Sequence, residues 1–133
     1  MPACYLLDTN IVSYLLKNKS PIVQARHSAA ADSIAVSTIT EAEVFYGIAN
    51  RPGATRLQRA AEGFFSATKV LSWDSAAART YGPLRAAQER KGRPLSVEDL
   101  MIAAHALSQG LTLVTHDAAF SFVDGLKIED WTV

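Results

Sequence analysis

Four acidic side chains occupy places in the sequence from which a parallel β-sheet would bring them together: Asp8, Glu43, Asp99 and Asp117. Two of them follow short apolar runs of the kind that form buried strands, and the other two fall in the first turns of segments with a helical pattern. In sheets of parallel strands, functional side chains lie beyond the carboxyl ends of the strands. We therefore expect all four carboxylates to converge on one cleft, although they are far apart along the chain.

Four carboxylates in one cleft need compensation for their charge. At a separation of about 6 Å and an effective dielectric constant of about 20, each pair repels by roughly 3 kcal/mol, and the sum over all pairs exceeds what a small domain can carry. Either some of the carboxyls are protonated or a hard divalent cation lies among them. Oxygen ligands suit Mg²⁺ or Mn²⁺, as one or two ions, rather than Zn²⁺. Such a site is typical of phosphodiester hydrolysis.

Each of these acids, taken singly, also has a purely structural interpretation. Asp8 and Asp117 belong to a residue type that ends strands and begins turns, and Asp117 also suits a helix N-cap. Glu43 and Asp99 each lie three residues after a threonine or serine, which is the spacing of a capping box. The joint pattern of four acids at corresponding places is what favours the functional interpretation.

The elements that must position these acids are short apolar runs alternating with helical stretches. Strands are predicted at residues 3–7, 34–36, 70–71, 111–114 and 126–128. Helices are predicted at residues 11–17, 22–31, 38–49, 55–67, 75–91 and 97–108. Solidly apolar strands separated by helices indicate an α/β fold, in which a parallel sheet is covered by helices on both faces.

Several helix ends carry recognisable signals. Asn10 is a plausible N-cap for the first helix, and Thr38 with Glu41 forms the capping-box pattern at the start of the third. Ser96 is predicted to cap the last helix. Because proline disrupts helix interiors, Pro83 predicts a kink or a break within residues 75–91.

The composition limits the class of protein. The chain has 133 residues, which predicts a single domain over residues 1–133. Apolar residues make up 49% and charged residues 20% of the chain, which excludes a disordered chain. One cysteine excludes an internal disulfide and a cysteine metal cage. No apolar run approaches the length of a membrane span and no signal peptide is apparent, so we expect a cytoplasmic protein without a membrane partner.

Four motifs occur in an order that resembles the PIN-domain ribonucleases, and within them the VapC-type toxins of bacterial toxin–antitoxin pairs. The motifs are LLDTN at 6–10, STITEAEVFYG at 37–47, DLMIAAHA at 99–106 and LVTHD at 113–117. The ending GLKIEDW at 125–131 also resembles many VapC-type toxins. By this resemblance the metal ligands are Asp8, Glu43, Asp99 and Asp117, with Glu43 rather than Glu41 as the ligand of the second motif.

The resemblance implies a fold and a function. It implies a PIN-like three-layer sandwich with a five-stranded parallel sheet, and an endoribonuclease that needs Mg²⁺ or Mn²⁺ to cut transfer or ribosomal RNA and so stops translation. It also implies a homodimer and a VapB-type antitoxin as partner. The protein would contact DNA only indirectly, through this antitoxin. The chain departs from the family pattern at His116, where asparagine or arginine is common, and at Pro83, inside a stretch that is usually one helix.

Candidate substrate contacts fall into two groups. Thr9, Thr115 and His116 adjoin the acids and are expected to orient water, metal ligands or a phosphate, although turn and strand-end roles explain such residues equally well. Arg85 and Arg93 belong to the densest basic stretch of the chain and are predicted to contact phosphates. The structural alternative for these arginines is a solvated helix face.

Two further functions remain open at this point. A phosphatase of the haloacid dehalogenase kind would use Asp8 as nucleophile, but such enzymes carry a second aspartate two positions on, where this chain has Asn10. A non-catalytic PIN-like module would bind RNA or protein without cutting. Aromatic side chains such as Phe45, Tyr46 and Phe65 are predicted core residues first, and part of the helix at 55–67 is an alternative antitoxin groove.

Overall fold

Short strands alternate with helices along the chain, as the apolar pattern predicts. The computed structural model describes residues 2–92 and 95–133. Its strands are β1 Tyr5–Leu7, β2 Ile34–Ser37, β3 Lys69–Leu71, β4 Thr112–Val114 and β5 Ile128–Glu129. Its helices are α1 Thr9–Lys17, α2 Pro21–Ala29, α3 Thr38–Ala49, α4 Thr55–Ala67, α5 Ser75–Arg90 and α6 Val97–Gln109. Two 3₁₀ turns span Ala31–Ser33 and Ala118–Phe122.

All five strands join one parallel sheet in the order β3-β2-β1-β4-β5. β1 is the central strand, where Leu6 pairs with Ala35 of β2 and with Leu113 of β4. Since consecutive residues of a strand face opposite sides, the two buried leucines of β1 enter different cores. The predicted α/β sandwich with a five-stranded parallel sheet is therefore confirmed.

A core lies on each face of the sheet. Leu7 packs with Ile11 and Val12 of α1 and with residues of α2, α3 and α4. Leu6 packs on the other face with Ile102 and Ala103 of α6. Because each face is covered by helices, the strands are apolar throughout, and the only polar side chains they can present lie at their ends.

The helix ends differ from prediction at two places that matter for the site. The N-cap of α1 is Asp8, whose Oδ1 accepts a hydrogen bond of 2.9 Å from the backbone N–H of Ile11, so the prediction of Asn10 as the cap is wrong. The strand ends one residue before the helix begins, which leaves Asp8 as the extended residue that capping requires. The N-cap of α6 is Ser96, as predicted.

The predicted capping box at the start of α3 is also wrong. The N-cap is Ser37, whose Oγ accepts from the backbone N–H of Ile39 at 3.0 Å. The hydroxyl of Thr38 instead accepts from the backbone N–H of Trp73 at 3.1 Å, which ties α3 to the end of β3. The hydroxyl oxygen of Thr38, which the local pattern assigned to the cap, therefore binds a residue that is distant in the sequence.

Helix α5 runs through Pro83 from Ser75 to Arg90, so of the predicted kink or break the break is wrong, and the kink stays a prediction. Gly82 and Pro83 lie on the exposed side of the helix, and the buried side carries Ala77 and Gln88 toward the protein interior. The carbonyl group that loses its hydrogen bond to Pro83 can reach water on that side. Packing of α5 along α6 keeps the two halves of the helix together.

The aromatic residues divide between core and surface. Phe65 is buried, and Phe45 packs partly buried against the same core. Tyr46 is 69% exposed, so its prediction as a core residue is wrong, because α3 turns Val44 and Ile48 inward instead. No helix in the described ranges 2–92 and 95–133 is long and apolar enough to cross a bilayer.

Candidate active site

Asp8 lies at the carboxyl end of the central strand and is 4% exposed. Its backbone N–H donates to the carbonyl of Val114 at 3.0 Å, which continues the β1–β4 ladder by one residue. Its Oδ1 is held by the N–H of Ile11. The side chain is therefore fixed where the sheet ends and α1 begins, which is the position that the sequence predicts for it.

Asp117 follows the neighbouring strand β4 and is exposed. Its backbone N–H donates to Oγ1 of Thr115 at 3.0 Å, and its Oδ1 accepts from the N–H of Ala119 at 2.9 Å. It thus caps the 3₁₀ turn Ala118–Phe122, so its structural interpretation as a cap is also confirmed. Thr115 is buried, and its backbone N–H donates to the carbonyl of Glu129, which anchors this loop to β5.

Glu43 comes from the first half of α3 and is joined to α1 by a short hydrogen bond. The hydroxyl of Thr9 donates to Oε1 of Glu43 at 2.6 Å. Thr40, one turn before Glu43, is fully buried with its Oγ1 3.5 Å from the same threonine hydroxyl. Glu43 is therefore held by a tertiary contact and not by a capping bond to its own helix.

Asp99 lies in the first turn of α6, and its backbone N–H donates to Oγ of the N-cap Ser96 at 3.1 Å. Burial raises the pKa of Asp99, and the charges of Asp117 and Glu98 raise it further against the opposing bond to Ser96. The charge of Asp117, which follows β4, therefore acts on the carboxylate of Asp99 on α6.

The other acids are coupled in the same way. Burial raises the pKa of Asp8 to about 6, a rise that its hydrogen-bond donors oppose and the charges of Asp99 and Asp117 reinforce. Burial also raises the pKa of Glu43, against the bond from Thr9, and the charge of Asp99 adds to the rise. The four predicted acids are thus linked through Asp99, which is coupled to Asp8, Glu43 and Asp117.

The four acids have no basic ion-pair partner in the part of the chain that the structure describes. Within residues 2–92 and 95–133, none of the four carboxylates forms a salt bridge. Nor do any three histidine, cysteine, aspartate or glutamate side chains of the described residues already form a group that could hold a metal ion. The donor set still fits Mg²⁺, because that ion usually keeps several of its waters and takes only one or two carboxylates.

Glu98 is a functional candidate that sequence reasoning missed. It is an exposed acid in the first turn of α6, and its charge raises the pKa of both Glu43 and Asp99. Its position next to Asp99 in the sequence was the signal that could have identified it. The family motif that begins at Asp99 includes only one of these two acids. The cleft therefore contains five interacting acids.

The histidine next to Asp117 is already engaged. Nδ1 of His116 lies 2.9 Å from Oδ2 of Asp130 and 3.0 Å from Oγ1 of Thr132. The hydrogen bond from Thr132 lowers the pKa of Asp130 to about 2, and His116 adds to that effect. The imidazole thus ties the loop after β4 to the C-terminal segment.

The predicted phosphate contacts are not joined to the acids. Arg85 donates to the hydroxyl of Tyr81 at 2.9 Å and to Oε2 of Glu89 at 3.3 Å, both on its own helix. These partners raise the pKa of its guanidinium. Arg93 lies outside the described residues. Both stay predictions as substrate contacts.

Comparison with known proteins gives this site a family. The family model for the PIN domain matches residues 5–126. Over 96% of its length the chain is 40% identical to the tRNA(fMet)-specific endonuclease VapC of Shigella flexneri, of which it covers 98%. It is 34% identical over 96% of its length to Ribonuclease VapC2 of Haemophilus influenzae, of which it covers 97%.

Solved structures give the same result. A chain of the DNA-bound VapBC complex from Salmonella typhimurium matches with a TM-score of 0.92 at 37% identity, over 97% of this chain and 98% of that one. A chain of VapBC2 from Rickettsia felis, bound to a promoter DNA fragment, matches with a TM-score of 0.90 at 30% identity, over 98% and 99% of the two chains. The chain belongs to the PIN-domain family. Within that family it belongs with the VapC proteins, which removes the support for a haloacid dehalogenase-like phosphatase.

Proposed function

We propose that this chain is an endoribonuclease toxin that hydrolyses RNA phosphodiester bonds with the help of Mg²⁺ or Mn²⁺. The observation that supports the proposal is the electrostatic coupling of four carboxylates near the carboxyl end of a parallel sheet, none of which has a salt-bridge partner in the described part of the chain. The relative from Shigella flexneri is named for its specificity for tRNA(fMet). Cleavage of that RNA by this chain would stop translation, and the whole chain would act as a single PIN domain.

The proposed metal ligands are the four acids that the motifs identify. Asp8 and Asp99 bind an ion directly, Glu43 binds it or activates water, and Asp117 binds a second ion or orients its water. When bound, such an ion supplies an activated water and stabilises charge on the attacking and leaving oxygens. Glu98 adds negative charge at the rim of the cleft, which strengthens the attraction for a divalent cation.

The chain's own groups orient the carboxylates. Thr9 occupies Oε1 of Glu43, which leaves Oε2 as the atom that can accept a proton from an attacking water. The N–H of Ile11 binds Oδ1 of Asp8, and the side chain of Thr115 also hydrogen-bonds to this carboxylate. Because these protein hydrogen bonds hold both carboxylates in place, the carboxylates are preorganised for a ligand, as catalysis requires.

The proposed partners follow from the same relatives. Solved complexes of similar chains are named as VapBC assemblies, two of them bound to DNA. We propose that a VapB-type antitoxin neutralises this chain and carries it to DNA, that the toxin forms a homodimer, and that it acts in the cytoplasm. A non-catalytic binding module is the alternative, and it would retain its function when Asp8 is neutralised.

The test of the function uses antitoxin-free protein and tRNA(fMet), with an elongator tRNA beside it. Cleavage is measured with Mg²⁺, with Mn²⁺ and with a chelator, and calorimetry measures metal binding. We expect discrete fragments that require the metal and that disappear in Asp8→Asn. Asp32→Asn is the matched control, because Asp32 is an exposed acid in the 3₁₀ turn before β2, at the opposite edge of the sheet.

Each outcome of this test decides something. Fragments in the Asp32→Asn lane and none in the Asp8→Asn lane would support the ribonuclease. Intact RNA in every lane, with metal binding measured independently, would contradict it for this RNA and favour the binding module. Cleavage that survives the chelator would contradict the role of the metal while leaving the ribonuclease intact.

A further inference from the structure

A groove between α1 and α3 begins at the acid cleft and ends at basic side chains. It encloses about 160 Å³. Thr9 and Glu43 line its first part, and Lys17 and Arg51 line its far part. An adjoining cavity of about 460 Å³ shares Lys17 and Arg51 and adds Arg56 at the start of α4. The two cavities therefore form one continuous path that leads away from the proposed catalytic carboxylates.

Helical spacing places these groups along the two walls of the groove. On α3, Glu43 and Gly47 are four residues apart and lie on the same helix face, and Arg51 follows the end of this helix, in the turn that leads to α4. Thr9 and Lys17 are the first and last residues of α1, so they are about 12 Å apart along the helix axis, from a rise of 1.5 Å per residue. Lys17 therefore lies at the end of α1 away from Thr9, and in the described residues neither it nor Arg51 forms a salt bridge with Glu43.

Gly47 keeps this path open. It is the residue of α3 between the acid and the arginine, it lines the groove, and a Cβ built on it would meet no atom within 4 Å. Glycine lowers the stability of a helix interior, so its position here has a local cost. A ligand strand bound in the groove would pass through the open space next to Gly47.

The three basic side chains of this path have no acidic partner. In the described residues, the arginine and lysine salt bridges are Arg85 with Glu89 and Lys91 with Asp124. Lys17, Arg51 and Arg56 are exposed and form neither a salt bridge nor a side-chain hydrogen bond within those same residues. Unpaired cations grouped at one end of a groove are typical of a surface that binds phosphates.

We infer that this groove, called here the α1–α3 groove, holds the RNA strand on one side of the scissile bond, with its phosphates on Lys17, Arg51 and Arg56. The inference rests on the proposed function, which brings a polyanion to Glu43 at the open end of the groove. The floor contains Leu16, Val44 and Leu57, which offer an apolar surface to bases or riboses. In this inference the groove supplies the main phosphate contacts. The basic stretch around Arg85 does not, because the guanidinium of Arg85 is already paired with Tyr81 and Glu89.

The test measures how tRNA(fMet) binding depends on salt. All proteins carry Asp8→Asn so that the RNA is not cut, and binding is measured by fluorescence anisotropy over a series of salt concentrations. Each neutralised phosphate contributes about 0.7 to the slope of log K against log salt for single-stranded RNA. Lys17→Gln with Arg51→Gln should therefore reduce the magnitude of the slope by about 1.4.

The matched control is Lys69→Gln with Lys127→Gln. Both lysines are exposed and lie at the amino ends of β3 and β5, on the edge of the sheet opposite the acids. The control removes the same charge and should keep the slope. In proteins that retain Asp8, the groove variant should raise KM for cleavage much more than it lowers kcat, while the control should change neither.

The outcomes separate this inference from the function on which it rests. A slope that is the same in the groove variant and the control overturns the inference, even if the protein cuts RNA, and would leave a partner protein as the occupant of the groove. A reduced slope with no cleavage by the protein that retains Asp8 supports the groove and contradicts the nuclease. Absence of any measurable tRNA binding overturns both.

Discussion

The hydroxyl of Thr9 donates a hydrogen bond of 2.6 Å to Oε1 of Glu43, across 34 residues of sequence. It joins the first residue of α1, next to Asp8, to the acid that α3 carries into the cleft. The bond opposes the rise in the pKa of Glu43 that burial causes. Thr9 therefore both orients this carboxylate and favours its charged form.

Replacement of Thr9 by valine should lower kcat for RNA cleavage by roughly tenfold, since one hydrogen bond to a charged group is worth about 1.5 kcal/mol or more. Without the hydroxyl, the pKa of Glu43 should rise further, so the acidic limb of the rate profile should move to higher pH. The measurement is the dependence of kcat on pH. Thr9→Ser restores the hydroxyl and should recover both rate and profile, and a Thr9→Val protein with an unchanged profile would contradict this role.

Asp8 should make the stability of the metal-free protein depend on pH. Its pKa is raised from 3.8 to about 6 in the folded protein, so the folded state binds the proton more tightly than the unfolded chain. The contribution to stability is fully present below about pH 4 and is lost as the pH rises through about 6, and a shift of this size corresponds to about 3 kcal/mol.

The check is urea unfolding in chelator between pH 4 and pH 8, for the natural protein and Asp8→Asn. Asparagine keeps an oxygen for the N–H of Ile11, so the helix cap survives the change. We expect Asp8→Asn to be the more stable protein at pH 7 and to lose that advantage toward pH 4. Parallel stability curves for the two proteins would show that Asp8 does not carry the buried charge assigned to it.

Ser37 should contribute more to stability than an ordinary N-cap. Its Oγ accepts from the N–H of Ile39 and also lies 2.8 Å from Nδ1 of His105, which is fully buried on α6. Ser37→Ala removes a cap and leaves a buried imidazole nitrogen without its partner, so we expect a loss of about 2–4 kcal/mol in the free energy of unfolding.

The comparison for Ser37→Ala is Ser20→Ala. Ser20 caps α2 by accepting from the N–H of Val23 at 3.2 Å and has no buried histidine as partner, so its loss should be about 1 kcal/mol. Chemical denaturation of both variants measures the difference. Equal losses would mean that the contact with His105 contributes nothing to the link between α3 and α6.

Gly47→Leu should change stability and RNA binding in opposite directions. A leucine in the helix interior is favoured over glycine by up to about 1 kcal/mol, and no atom lies close enough to obstruct its Cβ. The longer side chain would fill the α1–α3 groove, so KM for RNA cleavage should rise. Thermal unfolding and cleavage kinetics measure the two effects.

The control for Gly47→Leu is Gly63→Leu on α4. Gly63 also lies inside a helix, is exposed, and has no atom within 4 Å of a built Cβ. It does not line the groove. We expect the same gain in stability without a change in KM, and a rise in KM in both variants would point to a general effect of the added side chain.

The elements of this fold were predictable because its strands are apolar throughout and its helices are amphipathic. Helix α4 has the predicted bounds Thr55–Ala67, and the five strands lie at the predicted places. The placement of Asp8 and Asp117 was predictable because residues just after parallel strands share one edge of the sheet, and α3 and α6, which carry Glu43 and Asp99, have the predicted starts. Errors arose where local and tertiary partners compete, as at Thr38, whose hydroxyl binds Trp73 instead of its own helix.

The sequence by itself determined the type of fold, the ordered motifs and the four acids, since periodicity and residue type act over a few neighbouring residues. Only the tertiary structure decided the pairing of Thr9 with Glu43, the exposure of Tyr46 and the ion pairs of the described basic side chains. Arg85 finds partners one turn away on its own helix, whereas Lys17 at the end of α1 and Arg51 just after α3 line the same groove. Packing of distant segments sets such distances, and no local pattern encodes them.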